Sequence, residues 1–514
     1  MPRHEPICPV LHTPARRSAR SRIVRRALLS WASVALVGCA SLDPRADHDR
    51  LTELVSTRVG HSVEIAIASP ESWDSSQPLS ANQSVALALQ TSPELQQGLA
   101  DIAEARAQVV AARLWPDPVL SFALGRPTDG LPGDPHIASL MQQLDWLWTR
   151  GPRAAAADAD LGSTIATVAD AAIRLIAQTR RLHAQVTYGE RALAVTERWV
   201  EAVGSVRRAR ASEVAHGTRP RADLRRAEVD EELAREVLVR RRREVEVARR
   251  ALLARIGRAD AAPEFPVVDE TDLPTAAALG LDEAAFVSRA RRQRCDLAAA
   301  RARVERHAEA RRAVGRSSWI GLGGMVGHER NHEGRTAVTF GAQLQPRLWG
   351  SGAVARARAD AELARAIANA VGVDRKVCEE VRVAWLRWLE QDELVARIDA
   401  GRMALAAGDL SAAEAEGRAG VRSPAEVATV VAAHERVRLE RIDAERERVE
   451  RFHELVRAAG GSWISADSDA PLATAGVTPG ADLVATPRPI VPDAIAGNAA
   501  LARSAPTRAD GGDR

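Results

Sequence analysis

The sequence predicts a mainly α-helical chain with a small set of membrane β-strands, built as two copies of one half. Three observations predict it. The segment Leu79 to Gly125 lies without a gap over Leu281 to Gly327, pairing Leu79 with Leu281, Leu95 with Leu297, Leu120 with Leu322 and Gly125 with Gly327. Two pairs of alternating segments, each about ten residues long, have the length a tilted strand needs to cross a bilayer. A very long helical stretch follows each pair. A period of about 200 residues is far longer than a solenoid unit, so the copies read as half-domains related by pseudo-symmetry.

Met1 to Gly38 reads as a targeting segment, with an arginine-rich stretch (Arg16 to Arg26), a short apolar run (Ala27 to Val37) and then Leu36-Val37-Gly38-Cys39. The apolar run is too short for a permanent spanning helix. Its end resembles a lipoprotein signal, in which Cys39 becomes the acylated N-terminus and anchors the chain to lipid. Ala40 follows in place of an inner-membrane retention aspartate, which favours the outer membrane. The formal charge of +3 includes seven arginines and one glutamate of this leader, so the mature chain is net negative. Its arginines alternate with Glu and Asp along helices, the pattern of a solvated helical face and not of a nucleic-acid surface.

Residues 39–78 form a lipidated linker punctuated by Pro44, Pro70 and Pro78, with one short helix expected near Asp49 to Val59. The first repeat spans residues 79–257. It opens with helical spacing from Ser80 to Leu114, interrupted at Ser92-Pro93, where serine can cap and proline can take the first helical position. After Trp115-Pro116-Asp117-Pro118 the period falls to two. Leu120, Phe122 and Leu124 alternate with small residues, and a partner strand is expected over about Ile137 to Leu147, with Leu140, Leu144 and Trp146 on one face. A long helix from Ala154 to about Arg210, a glycine-containing turn (Ala215 to Arg221) and a returning helix (about Ala222 to Ile256) complete it.

A linker, 258–280, leads to the second repeat, 281–459. Here Ile320, Leu322, Gly324 and Val326 alternate with small residues, and Val338, Phe340, Ala342 and Leu344 alternate with Thr339, Gly341, Gln343 and Gln345. A helix from Ala353 to about Glu416, a turn (Gly417 to Ser423) and a return from Pro424 to Ala459 follow. Trp115, Trp146, Trp148, Trp319 and Trp349, five of the 11 tryptophans, fall near predicted strand ends, as in an interfacial girdle. Residues 460–514 lack periodicity and read as a disordered tail.

This order of elements, repeated behind a lipobox, resembles the TolC-like outer-membrane efflux protein family. The stretch LSANQSVALALQTSPELQQGLADIAEARAQVVAARLWPDP is similar to the family's entry into its first strand, QLQPRLWGSG to the exit from its last, and GTRPRADLRRAEVDEEL to its helical turn. The resemblance covers Leu79 to Ala459. Arg50 to Val63 is similar to the branch that serves heavy-metal resistance-nodulation-division pumps. The resemblance implies a TolC-like fold in a homotrimer, four strands per protomer forming a 12-stranded barrel in the outer membrane above a long periplasmic α-helical barrel. It implies passive conduction of metal ions or small toxic compounds, with a periplasmic adaptor and an inner-membrane pump as partners. The adaptor would meet the helical turns at Gly217, Thr218, Arg219, Gly420, Val421 and Arg422. Glu426, and Asp223 as its counterpart, would close the periplasmic entrance, although Thr429 stands where a second acid is common. Both acids also suit the positive end of a helix dipole.

Catalytic and metal chemistry find no support. His328-Glu329-Arg330-Asn331-His332 spells H-E-x-x-H, which holds zinc only on a helix. Between two predicted strands it reads as a surface loop. Gly321, Gly323, Gly324 and Gly327 lack dinucleotide spacing and sit in a predicted strand. No Ser/His/Asp or Cys/His set has a credible context, and no cofactor is expected. Cys295 and Cys378 lie at unrelated helical positions, with pairing left open. A lipid-anchored adaptor or a structural coiled coil without channel activity is the alternative, but neither needs two similar halves and amphipathic strands.

Overall fold

The computed structural model describes residues 42–461 except 61–62, 64, 66–72, 127–133, 269–272, 274, 276–279, 281, 319 and 347–349. Cys39, Trp319, Trp349 and the tail lie outside the described residues.

Helix α1 (Arg45–Val59) ends on Gly60 in the left-handed region. Helices α2 (Ala81–Thr91) and α3 (Pro93–Arg113) meet at the expected break. Ser80 caps α2 in a reciprocal box with Gln83, and Ser92 accepts from the Leu95 amide while Pro93 takes the first position of α3. Strands β1 (Val119–Leu124) and β2 (His136–Gln143) come next, then α4 (Trp146–Ala215) and α5 (Arg221–Arg255). The same order recurs in α6 (Glu283–Gln293), α7 (Cys295–Ser317), β3 (Ile320–Arg330), β4 (Thr336–Pro346), α8 (Ser351–Arg397), α9 (Ala404–Arg418) and α10 (Pro424–Ala458). A π-helical segment, Ile398–Met403, joins α8 to α9 without a loop.

Helix α4 has 70 residues, about 105 Å of rise, and every other helical layer of the first half packs on it, together with α7 and α10 from the second. Its buried series, including Ile165, Ala169, Ala172, Ile176 and Val186, has a high share of alanine and draws neighbouring helices close. It meets Leu51 and Val55 of α1, Leu95, Leu99 and Ile102 of α3, and Leu252 and Leu253 of α5 in one core. A second core centres on Trp388 of α8, with Phe286 of α6 and Phe452 and Leu455 of α10. The inter-repeat linker closes back on the first copy, where the Leu79 amide donates to Pro266 O (2.9 Å) and Val268 N to Leu79 O (3.0 Å).

Three expectations need correction. Strand β2 ends at Gln143 and not at Leu147. Trp146 is the first residue of α4, is buried, and packs its ring 4.7 Å from that of Trp115, so it lies on no strand face. Helix α4 begins eight residues before the expected Ala154 and runs through Pro152. A proline there frees the carbonyl four residues earlier, and Arg316 Nη1 of α7 donates to that Trp148 carbonyl at 3.0 Å. The histidine motif is no loop in its first half, because β3 continues through Arg330 and only Asn331 to Arg335 form the turn.

Candidate functional site

The four strands form one antiparallel sheet in the order β1-β2-β3-β4. The two hairpins, about 200 residues apart in sequence, meet along β2 and β3, with Leu140 opposite Val326 and Ser139 opposite Gly327. Alternation then sorts the side chains. One face carries Leu120, Phe122, Leu124, Leu140, Val326, Val338, Phe340 and Leu344 in register across the strands. Leu120 and Phe340 are each 80% exposed, a large apolar face open to the surroundings. The opposite face carries the row Ser121, Ser139, Gly327, Thr339 and the row Gln143, Gly323, Gln343. At Gly327 an added Cβ would come within 2.5 Å of Thr339 Oγ1, so a side chain there would displace the Thr339 hydroxyl. Among the described residues, strands β1 and β4 each have one edge without a strand neighbour. The outer edges therefore present unpaired backbone donors and acceptors.

The two helical turns are built alike. After α4, Gly217 takes φ +74° and the Thr218 amide reaches Glu213 O at 2.9 Å. After α9, Gly420 takes φ +71° and the Val421 amide reaches Glu416 O at 2.9 Å. This six-to-one bond after a left-handed glycine is the Schellman arrangement, and only glycine adopts that φ without cost. Arginines brace both turns, Arg219 at 3.8 Å from both Glu213 and Asp223, and Arg422 at 2.6 Å from Glu416. Val421 stands 76% exposed at the second tip.

Asp223 and Glu426 are not equivalent. Asp223 lies in the first turn of α5, where Pro220 provides no side-chain cap, and it pairs with Arg219. Glu426 is committed to a capping box. Its Oε2 accepts from the Ser423 amide at 3.0 Å while its own amide donates to Ser423 Oγ at 3.3 Å. The Ser423 hydrogen bonds, followed by the charges of Arg219 and Arg210, hold the Glu426 carboxyl below its ordinary range. Ser423 did not figure among the expected site residues, yet Ser423-Pro424-Ala425-Glu426 has the S-x-x-E signature from which the box can be read.

Among the described residues no group of three or more His, Cys, Asp or Glu side chains is placed to hold a metal, and no helix is long and apolar enough to cross a membrane. Cys295 is a free thiol, buried, with burial pushing it up to about 11, and Cys378 is free and half-buried.

Residues 85–258 match the sequence profile of the family described as outer membrane efflux protein. No curated protein matches the chain by sequence. Among solved structures, a membrane protein from Pseudomonas aeruginosa is similar with a TM-score of 0.62 and 21% identity, over 74% of this chain and 90% of its own. The outer-membrane channel OprN has a TM-score of 0.62 and 17% identity, over 79% and 99%. The outer membrane protein VceC from Vibrio cholerae has a TM-score of 0.60 and 16% identity, over 74% and 96%. Residues 85–258 are thus similar in sequence to the outer membrane efflux proteins, and the fold of the described residues is similar to that of solved outer-membrane channels.

Proposed function

We propose that three copies of this chain form a channel that passively conducts small solutes out of the periplasm as the outer-membrane component of an efflux pump. The observation that carries the proposal is the four-stranded sheet, whose apolar face is exposed and whose two edges are unpaired. In hydrocarbon each unpaired backbone group costs several kcal/mol, so only a closed barrel is tenable. Four strands are too few to close on themselves, and symmetric association of three chains supplies a 12-stranded ring. The helices support the same assembly. Val229, Leu233, Val239 and Val247 of α5, and Val354, Ile367, Val371 and Leu386 of α8, are exposed apolar residues on long helices. Neighbouring protomers would cover them in a periplasmic helical barrel.

In this assembly Cys39 carries the lipid anchor. The turns at Gly217, Thr218, Arg219, Gly420, Val421 and Arg422 face a periplasmic adaptor, through which an inner-membrane pump delivers substrate, and Asp223 and Glu426 set the charge of the entrance. The chain itself supplies no energy and performs no bond chemistry. The test is single-channel recording in planar bilayers with the purified full-length protein, together with its migration before and after heating. Discrete conductance steps and a heat-dissociable trimer are expected. A non-conducting monomer, soluble once the lipid is removed, would instead identify a periplasmic adaptor or structural coiled coil.

A further inference from the structure

The apolar face of the sheet changes character at the hairpin end, away from the helices. One row past Leu140 and Val326, His328 stands level with Phe122 and Val338, and in the last row His136 and Arg330 stand level with Leu124. Register sets His136 opposite Arg330 and His328 opposite Ala138, so alternation brings all three to one side of the central strands. The two imidazoles stack with centroids 5.8 Å apart and planes 25° apart, and the Phe122 ring lies 6.4 Å from His136. His328 and Arg330 are exposed. Among the described residues no carboxylate bonds to any of the three. Glu329 falls on the opposite face, and Glu333 pairs with Arg335 at 3.3 Å.

A guanidinium and two imidazoles at the margin of an apolar band, with no carboxylate partner among the described residues, fit an anion held at the level of lipid headgroups. Arginine offers a planar fork that matches phosphate oxygens, and each imidazole can add an N–H donor. A metal ion fits less well. Near-parallel rings do not converge their nitrogen lone pairs on one point, and no third metal-binding side chain is placed to complete a set among the described residues. We propose that His136, His328 and Arg330 form a site for the phosphate of a lipid headgroup in the outer leaflet, fixing the depth and rotation of the barrel in the membrane. The proposal rests on the membrane-channel reading given above.

The experiment uses the full-length protein in detergent and measures binding of a phosphorylated bacterial glycolipid, its dephosphorylated form and inorganic phosphate by native mass spectrometry. Preference for the phosphorylated lipid is expected. Arg330→Gln should weaken that binding about fivefold, the factor corresponding to roughly 1 kcal/mol for one basic group near an anionic surface. Arg330→Lys should keep most of it, and His136→Gln with His328→Gln should lower it further. Equal binding of both lipid forms, or an unchanged Arg330→Gln variant, would overturn the proposal. So would inorganic phosphate binding as tightly as the lipid, which marks a free-anion site, or zinc binding that the double histidine variant abolishes. Conductance recorded on the same preparations separates the two readings. A conducting trimer without lipid preference sinks this proposal alone, whereas loss of insertion sinks the channel reading as well.

Discussion

Arg294 shows what single residues contribute to this fold. It is 7% exposed at the start of α7 and donates to Asp296 (3.0 and 2.6 Å), Glu380 of α8 (2.5 Å) and the Ala458 carbonyl at the end of α10 (3.4 Å). One guanidinium therefore ties three helices of the second half. Arg294→Met should destabilise by about 3 kcal/mol, because it removes the guanidinium bonds that join two half-buried carboxylates and a carbonyl on three helices; chemical denaturation measures it, and a change below about 1 kcal/mol would count against this role. His453 of α10 is the counterpart in pH dependence. Burial, then the charges of Arg180 and His183, lower it from the ordinary imidazole value to about 3. The unfolded chain binds a proton near pH 6.5 that the folded chain refuses, so stability is full above that pH and falls progressively toward pH 3. His453→Gln should flatten the thermal stability profile in that window. At the proposed entrance, Ser423→Ala should cost about 1 kcal/mol through loss of the cap, read as faster amide exchange at the start of α10. Glu426→Gln keeps a capping acceptor while removing the charge. Changed cation selectivity with unchanged stability is the result expected of an entrance acid, and unchanged selectivity would reduce Glu426 to a cap.

Elements reveal where the two copies diverge. The stretch from Gly151, inside α4, to Gly217 corresponds to that from Gly352, inside α8, to Gly420, and the second is longer. The π-helical Ile398–Met403 segment lies within this longer stretch, and a π turn accommodates extra sequence without breaking a helix. Asp399 in this segment forms a two-pronged pair with Arg441 of α10, which anchors the wide turn. Deleting Gly401 should thus be tolerated, with helicity and trimer retained. Deleting Ala364 from the regular part of α8 should rotate all downstream residues by about 100° and abolish folding. Circular dichroism and trimer migration distinguish the cases, and equal damage from both deletions would refute the assignment. The strands of the proposed barrel can be tested in the same way. Phe340→Arg places a charge on the apolar face of β4, with an expected cost of about 2–4 kcal/mol at the bilayer midplane. Thr339→Arg, on the opposite face, should alter conductance more than assembly.

For the whole molecule, association should be obligatory, because separated protomers would expose strand edges and helix faces together. Heating that dissociates the proposed trimer should also abolish its conductance. Much of this organisation was legible in the chain. Doubling of the pattern, the Ser92-Pro93 break, the return helices and the alternation of Leu120, Phe122 and Leu124 are local signals, set by periods of 3.6 and 2 and by capping chemistry. The glycines of both turns were legible for the same reason, since a left-handed position is a property of one residue. Trp146, Pro152 and His136 were not. Trp146 leaves the strand and packs its ring against Trp115, α4 passes through Pro152 because Arg316 takes up the freed carbonyl, and His136 meets His328 only because two hairpins pair across about 200 residues of sequence. The sequence by itself determined the repeated elements and their faces, because backbone geometry and burial periodicity are encoded within a few residues. Tertiary structure alone decided strand ends, ion-pair partners and the juxtaposition of the two hairpins, because those depend on groups that chain connectivity does not bring together.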